Sequence, residues 1–224
     1  MTYVFNKQEV SIEEAKELLL KGQIPDEVDN RRLGSFDIAS YTFRSDFYTK
    51  NFGFALLTKK VLREISDVFE KYNLISFVEI YAGTGYLSRL LNEKIGCVGT
   101  GYTLDLNPVV NYGFDKNSAM ISDNLNKNYL AFKAFEDLSP SELNVDVLIA
   151  SWIPYDCNQG QSFKKMQDLL PKHFLLIGEG YGGCTADDEF FDWLDEVYEE
   201  EYVFKSYIPF DGIYDDIILY KKKV

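Results

Sequence analysis

The sequence is 224 residues long, with 46% hydrophobic and 16% aromatic residues and a formal net charge of −13. This length and hydrophobic content allow one domain with a sizeable core, or a domain with a small appendage, and they exclude a disordered chain. The excess of acid disfavours nucleic acid as a partner, because phosphate contacts need a basic surface.

Several features of the chain indicate its compartment. Its longest apolar runs are strand-sized and far short of a membrane span, and the first residues lack the basic-then-apolar form of a signal peptide. Cys97, Cys157 and Cys184 are without C-x-x-C spacing, which disfavours a disulfide framework or a zinc site. We therefore expect a soluble, cytoplasmic protein with no membrane partner and no metal.

The first fifty-four residues differ from the rest of the chain. Ser11 and Glu14 form an S-x-x-E capping box, which predicts a helix that runs to about Lys21 and ends at Gly22. A mixed stretch follows and leads into an aromatic-rich segment that ends at Phe54. We interpret residues 1–54 as an N-terminal extension or lid with helical and aromatic character, and residues 55–224 as the main domain.

The main domain alternates between strand and helix patterns. Apolar residues at 61, 62, 65, 68, 69 and 72 predict a helix over 58–72. Strand-like runs follow at 74–81, 96–104, 128–134, 145–151 and 173–178, and 202–209 with 216–221 predict a closing hairpin. Because parallel strands need helical crossovers, we expect a Rossmann-like α/β fold. Its sheet would be mostly parallel and seven-stranded, with helices on both faces and a C-terminal antiparallel hairpin.

The first predicted strand leads into a glycine-rich turn. Residues 77–85 read F-V-E-I-Y-A-G-T-G, in which glycine lets the backbone approach a ligand closely. Asp105 follows Gly85 by twenty positions, about the offset at which a carboxylate reaches ribose hydroxyls from the next strand. This order of strand, turn, helix and acid predicts a nucleoside-binding crevice.

A second glycine cluster, G-E-G-Y-G-G at 178–183, follows the fifth predicted strand. Open α/β sheets bind ligands at such strand ends, so Glu179 is a candidate general base. The plainer interpretation is a tight connection in which Thr185 and Asp188 cap the next helix. Between Thr185 and Asp216 the chain has twelve acids and Lys205 as its one base, which indicates a solvated helix face or a surface for a basic partner.

Together these motifs resemble class I S-adenosylmethionine-dependent methyltransferases. The resemblance covers residues 55 to 221 and rests on E-I-Y-A-G-T-G, on D-L-N-P after the second strand, on V-D-V-L-I-A-S-W-I-P-Y-D and on the closing hairpin. It implies that Glu79 and the glycine turn hold the methionine part of the cofactor and that Asp105 holds the ribose. The cofactor-binding positions that it implies are Glu79, Tyr81, Ala82, Gly83, Gly85, Asp105, Ser151 and Trp152.

The chain also departs from the family pattern. Tyr81 stands at the family's first glycine, and Trp152 stands where amino-group methyltransferases have a polar residue that accepts a hydrogen bond from the substrate. An indole N–H only donates, so Ser151 would have to supply that acceptor. Pro154 and Tyr155 match the family, and an aromatic such as Tyr155 can pack against an acceptor or attract the sulfonium.

A narrower resemblance links W-I-P-Y-D and G-E-G-Y-G-G-C-T-A-D to a methyltransferase-like group with a W-P-P-Y-D and G-E-G-x-G-G-x-T-x-D pattern. It supports the fold and leaves the substrate open. The leading hypothesis is an S-adenosylmethionine-dependent methyltransferase acting on a small-molecule or protein acceptor, with Tyr155 and Glu179 as catalytic candidates. The alternatives are an inactive binding protein or acidic decoy with this fold, and a nicotinamide-dependent oxidoreductase.

Overall fold

The computed structural model describes residues 2–29, 38–103, 126–155 and 158–223. The strands are β1 Thr2–Phe5, β2 Gln8–Val10, β3 Glu27–Asp29, β4 Ser76–Ile80, β5 Val98–Thr103, β6 Leu130–Phe132, β7 Val147–Ser151, β8 His173–Gly178, β9 Tyr198–Val203 and β10 Asp216–Lys222. The α-helices are α1 Ile12–Leu20, α2 Ile38–Thr42, α3 Thr49–Asn51, α4 Lys59–Tyr72, α5 Tyr86–Leu90, α6 Gln159–Met166 and α7 Asp188–Val197. Phe43–Tyr48 and Leu91–Ile95 are π-helical, and Lys127–Tyr129, Phe135–Asp137 and Gln167–Leu169 are 3-10 turns.

The main sheet has seven strands in the order β6-β5-β4-β7-β8-β10-β9. Pairing is parallel from β6 through β8, and β10 is antiparallel to both β8 and β9. The predicted α/β fold with a mostly parallel sheet and a closing antiparallel pair is confirmed. The order runs outward in both directions from β4, so the point where it reverses lies between β4 and β7, where open sheets of this kind bind ligands.

Helices cover both faces of this sheet. Val147 and Ile149 of β7 pack in a cluster with α4 and α5, whereas Leu148 and Ala150 pack in a second cluster with α6 and α7. This alternation follows from the strand period of two, which sends successive side chains to opposite faces. Helix α4 begins where the sequence predicts, because the Thr58 hydroxyl accepts the Val61 N–H at 3.2 Å.

The closing hairpin differs from the prediction at its first strand. Strand β9 spans Tyr198–Val203 rather than 202–209. It is an edge strand that pairs with β10, so Glu199 and Glu200 can face solvent in an extended conformation. The apolar residues that suggested a later strand, Phe204 and Tyr207, are buried in irregular backbone.

The N-terminal region contains more than the predicted helix. The Ser11 hydroxyl accepts the Glu14 N–H at 3.2 Å, so the predicted cap of α1 is confirmed. Strands β2, β1 and β3 form a separate antiparallel sheet that the sequence did not indicate. Its aromatic core, with Tyr3, Phe43 and Tyr48, also includes Phe210 of the main domain. The boundary near residue 54 stays a prediction.

In the part of the chain that the structure describes, no helix combines the length and the apolar character that crossing a membrane would require.

Candidate functional site

The glycine turn, residues 81–85, follows β4 directly. Tyr81, Gly83 and Gly85 all have positive φ angles, of 57°, 54° and 71°. The Gly85 N–H donates to the Ala82 carbonyl at 2.8 Å, and the Ala82 N–H donates to the Tyr102 carbonyl of β5 at 3.1 Å. The turn is therefore fixed both within itself and to the neighbouring strand.

This turn is packed on one side and open on the other. A Cβ added to Gly85 would lie 2.5 Å from the Leu130 side chain, and one added to Gly101 of β5 would lie 2.6 Å from Ser88 Oγ. A Cβ added to Gly83 would meet no described atom within 4 Å. Gly85 and Gly101 thus serve close packing, whereas the backbone at Gly83 is accessible to a ligand.

Glu79 lies near the end of β4 and is only 2% exposed. The Ser88 hydroxyl donates to its Oε2 atom at 2.5 Å. Burial raises the pKa of Glu79 to about 7, and the bonds from Ser88 act in the opposite direction. Among the described residues Glu79 makes no ion pair, so its carboxylate would be favoured by a positive group brought beside it.

Tyr81 is directed toward the second face of the sheet. Its hydroxyl donates to Gln159 Oε1 at the start of α6, and its ring packs against the cluster of α6 and α7. At the position where the methyltransferases that the sequence resembles have their first glycine, Tyr81 thus joins the end of β4 to α6. Gln159 is a contact that the sequence did not suggest.

The turn after β7 contains three of the predicted residues. Ser151 ends the strand half-buried, Trp152 is 8% exposed and Tyr155 is 58% exposed. The Trp152 backbone N–H donates to the Ile177 carbonyl at 2.7 Å, and its ring stacks on Phe54 with centroids 5.1 Å apart. The indole therefore packs under the N-terminal region, and a cofactor contact by Trp152 stays a prediction.

Glu179 follows β8 and joins two loops. Its Oε2 atom accepts the Cys184 N–H at 2.7 Å, and its Oε1 atom accepts the Tyr214 N–H at 3.1 Å. With 8% exposure it is mostly buried at the C-terminal edge of the sheet. Its role as a general base stays a prediction, because both carboxylate oxygens already accept hydrogen bonds from backbone N–H groups.

The cap predicted for the following helix is wrong. Asp187, not Thr185, precedes α7 as its cap and accepts the Phe190 N–H at 2.8 Å. Ala186 has a φ of 53°, and the helix cap lies two residues later than the T-x-x-D pattern suggested. The Thr185 hydroxyl instead accepts the Glu179 N–H at 2.9 Å.

Asp215 is a buried acid of this edge that sequence reasoning missed. It is 1% exposed, and its Oδ2 atom accepts from Trp152 Nε1 at 3.1 Å and from the Tyr207 hydroxyl at 2.7 Å. Its Oδ1 atom is buried without a hydrogen bond among the described residues. Burial raises the pKa of Asp215 to about 6, whereas the two hydrogen bonds and nearby Arg44 lower it. The signal in the sequence was an acid directly before an apolar strand.

The end of the N-terminal region contacts both turns. The Thr84 hydroxyl donates to the Phe52 carbonyl at 3.2 Å, and the Phe52 ring lies 5.0 Å from that of Tyr86. Two residues later, Phe54 stacks on Trp152. Residues 52–54 thus lie at the ends of β4 and β7 together.

Asp105, the predicted ribose ligand, lies outside the described residues, as does Asp156, the last residue of the W-I-P-Y-D motif. Asn126 is the first described residue after Asp105. Its backbone N–H and its side-chain amide donate to the Thr84 carbonyl at 3.0 and 2.9 Å. In the described ranges no group of three or more His, Cys, Asp or Glu residues is placed to hold a metal ion.

A cleft of about 550 Å³ runs along α4, lined by Lys59, Arg63 and Lys94 among others. Lys59 is already paired with Asp26 at 2.7 Å. The lining residues include none from the turns after β4, β7 and β8, so we place the candidate site at those turns rather than in this cleft.

No family model and no curated protein matches the chain. Solved structures do match. Magnesium protoporphyrin IX methyltransferase from Synechocystis PCC 6803, a structure with bound S-adenosylmethionine, is 12% identical over 84% of this chain and 99% of its own, with a TM-score of 0.51. The PH0226 protein from Pyrococcus horikoshii OT3 is 12% identical over 84% and 100%, with a TM-score of 0.49. MtNAS in complex with MTA and tNA is 12% identical over 84% and 66%, with a TM-score of 0.49.

The likeness to the first of these structures is one of fold. The chain shares the fold of that methyltransferase structure.

Proposed function

We propose that this chain is an S-adenosylmethionine-dependent methyltransferase that acts on a small-molecule or protein acceptor. One observation carries the proposal. A glycine turn whose backbone is open at Gly83 stands at the reversal point of the sheet, in the fold of a methyltransferase whose structure contains S-adenosylmethionine.

The residues present fit the cofactor. The open backbone at Gly83 would admit the methionine part, and the buried Glu79 carboxylate, which makes no ion pair with any described residue, would gain a positive amino group. Asp105 would hold the ribose. When bound, the cofactor supplies a methyl group on a sulfonium, and its transfer requires alignment and at most one proton acceptor.

Glu179 and Tyr155 are the proposed catalytic residues. The Glu179 carboxylate is held in place by two backbone N–H groups and keeps lone pairs that could take a proton from the acceptor. The exposed Tyr155 ring offers a surface for the acceptor. In a Glu179→Gln variant we expect methyl transfer to be lost and cofactor binding to be kept. Its melting temperature must be checked, since the amide would turn a donor toward one of those N–H groups.

Thermal unfolding with and without ligands tests the cofactor. At a concentration one hundred times its dissociation constant, a ligand should stabilise the protein by about 2.7 kcal/mol. We expect S-adenosylmethionine and S-adenosylhomocysteine to raise the melting temperature and NAD to leave it unchanged. A shift with NAD alone would favour the oxidoreductase, and no shift with any of the three would remove the proposal.

A binding protein without catalytic activity is the second candidate. It is favoured by Trp152 and Glu179, which both make hydrogen bonds that hold the structure together. Incubation with methyl-labelled S-adenosylmethionine and fractionated cell extract separates the two. Label transferred to an extract component supports the enzyme, whereas tight S-adenosylhomocysteine binding without transfer supports the binding protein.

A further inference from the structure

Arg44 brings a positive charge to the C-terminal edge of the sheet. It lies in the π-helical turn Phe43–Tyr48 and is half-buried. Its guanidinium carbon is 5.4 Å from the Trp152 ring centroid and 5.9 Å from the Phe54 ring centroid. These distances are typical of cation–π contacts.

Several acidic groups also act on this cation electrostatically. Asp215, Tyr207, Glu179 and Tyr41 each act to raise the pKa of Arg44, although its burial lowers that pKa more. Two of these groups, Asp215 and Glu179, are carboxylates that are themselves buried. Two aromatic faces thus contact one guanidinium on which buried carboxylates also act.

Yet the Arg44 side chain lacks specific polar partners among the described residues. Among the described residues its side chain forms no ion pair, and its Nε atom is buried without a hydrogen-bond partner. Asp215 Oδ1, in the same environment, is likewise buried and unpartnered. Native proteins pair nearly all buried polar atoms. Arg44 and Asp215 both contact Trp152, and each has a buried polar atom without a partner, so this place suits a cation but Arg44 fits it poorly.

We propose that Trp152, Phe54 and Asp215 form a cation cage, a binding site for the ammonium or guanidinium group of a small molecule, which Arg44 fills in this structure. The ligand would donate to Asp215 Oδ1 and stack on the two rings as Arg44 is displaced. The net charge of −13 would favour the approach of such a ligand. That this ligand is the methyl acceptor rests on the proposed function, whereas its binding does not.

An Arg44→Met variant tests the cage, because methionine keeps the apolar stem but lacks the guanidinium group that lies over the two rings. The probe is methylguanidinium chloride, with binding measured by calorimetry and melting temperature. In the wild type the ligand can bind only to the fraction of molecules in which Arg44 has left the site, which lowers its apparent affinity. We therefore expect methylguanidinium to bind at least about tenfold more tightly to the variant than to the wild type.

Two further substitutions are compared in the Arg44→Met background. Asp215→Asn should abolish methylguanidinium binding. Asp216→Asn removes the same charge from the exposed neighbouring residue and should leave binding unchanged. Equal binding in both double variants, or none in Arg44→Met, would overturn the proposal and leave Arg44 as a structural residue.

Fluorescence provides a second measurement if Arg44→Met does not fold. Trp152 and Trp193 are the chain's two tryptophans, so a Trp193→Phe variant reports on the cage alone while keeping Arg44. We expect a saturable change with methylguanidinium chloride and none with sodium chloride at equal ionic strength. Identical responses to both salts would contradict the cage. S-adenosylhomocysteine binding is measured separately on each variant, so a failure of the proposed function is distinguished from a failure of the cage.

Discussion

Gly83 and Gly85 both have left-handed backbone, and they differ in what surrounds them. Gly83→Ala should cost about 1 kcal/mol of stability, because a φ of 54° disfavours any residue with a Cβ. No steric clash is added, since that Cβ would meet no described atom within 4 Å. It should also weaken S-adenosylhomocysteine binding about tenfold or more. Urea unfolding and calorimetry measure the two effects, and wild-type affinity in this variant would mean that no ligand approaches the backbone there.

Gly85→Ala is the matched control for that turn. Its Cβ would lie 2.5 Å from Leu130 Cγ, so overpacking adds roughly 1–3 kcal/mol to the backbone cost. We expect a larger loss of stability than in Gly83→Ala, recovered in part by adding Leu130→Ala. Equal unfolding free energies for the two glycine variants would contradict the packing described here.

Glu79→Gln should change how stability depends on pH. The folded-state pKa of about 7 lies above the ordinary 4.5, so the folded protein binds the proton more tightly than the unfolded chain. The wild type should therefore lose stability relative to the variant as pH rises from about 4.5 to 7, and no more above that. At 1.36 kcal/mol per pKa unit the difference is at most roughly 3 kcal/mol.

Urea unfolding of both proteins across this pH range measures the effect. A constant difference between them would show that Glu79 titrates normally. The affinity of the wild type for S-adenosylhomocysteine should rise over the same range, because the ionised carboxylate suits the positive amino group of the ligand.

At this scale the sequence predicted part of the site. An acid and a glycine turn after an apolar strand are local features, so the positions of Glu79 and Gly83 could be predicted. Asp215 and Arg44 could not, because nothing local brings a residue of the N-terminal region to the start of the last strand. Arg44 and Asp215 both contact Trp152, and Asp215 reaches it only once the sheet has placed β10 beside β8.

At the scale of elements, the start of α7 offers a sharp comparison. Asp187→Ala should lose about 1 kcal/mol, because its carboxylate accepts the Phe190 N–H at 2.8 Å and the Gly160 N–H at 3.3 Å. Asp188→Ala removes the neighbouring exposed acid and should cost a few tenths of a kcal/mol at most. Chemical denaturation of both measures this, and a greater loss from Asp188→Ala would restore the T-x-x-D cap.

Elements with strong patterns were predictable, and weakly patterned ones were not. Strands β7 and β8 are continuous apolar runs that are buried on both faces, so their composition identified them. Strand β9 has three glutamates in a row, and β2 and β3 are three residues each with exposed positions. Such strands exist because a partner pairs with them, and pairing leaves little trace in local sequence.

At the scale of the whole molecule, the charge of −13 should make stability depend on salt. Raising ionic strength from about 0.01 M to about 0.15 M shortens the Debye length from roughly 30 Å to about 8 Å and screens the repulsion among surface acids. We expect the melting temperature to rise by a few degrees. Glu196→Lys with Glu200→Lys, both exposed, should reduce this salt dependence, and an unchanged slope would contradict the electrostatic explanation.

The position of β10 also has a consequence for biosynthesis. Strand β10 is synthesised after β9 but lies between β9 and β8 in the sheet. Strand β9 therefore cannot pair with its neighbour β10 until residues 216–222 have left the ribosome. Until then β8, all six of whose residues are buried in the finished sheet, keeps one edge unpaired and available to a chaperone. A nascent chain stalled just before residue 216 should therefore be a strong chaperone client.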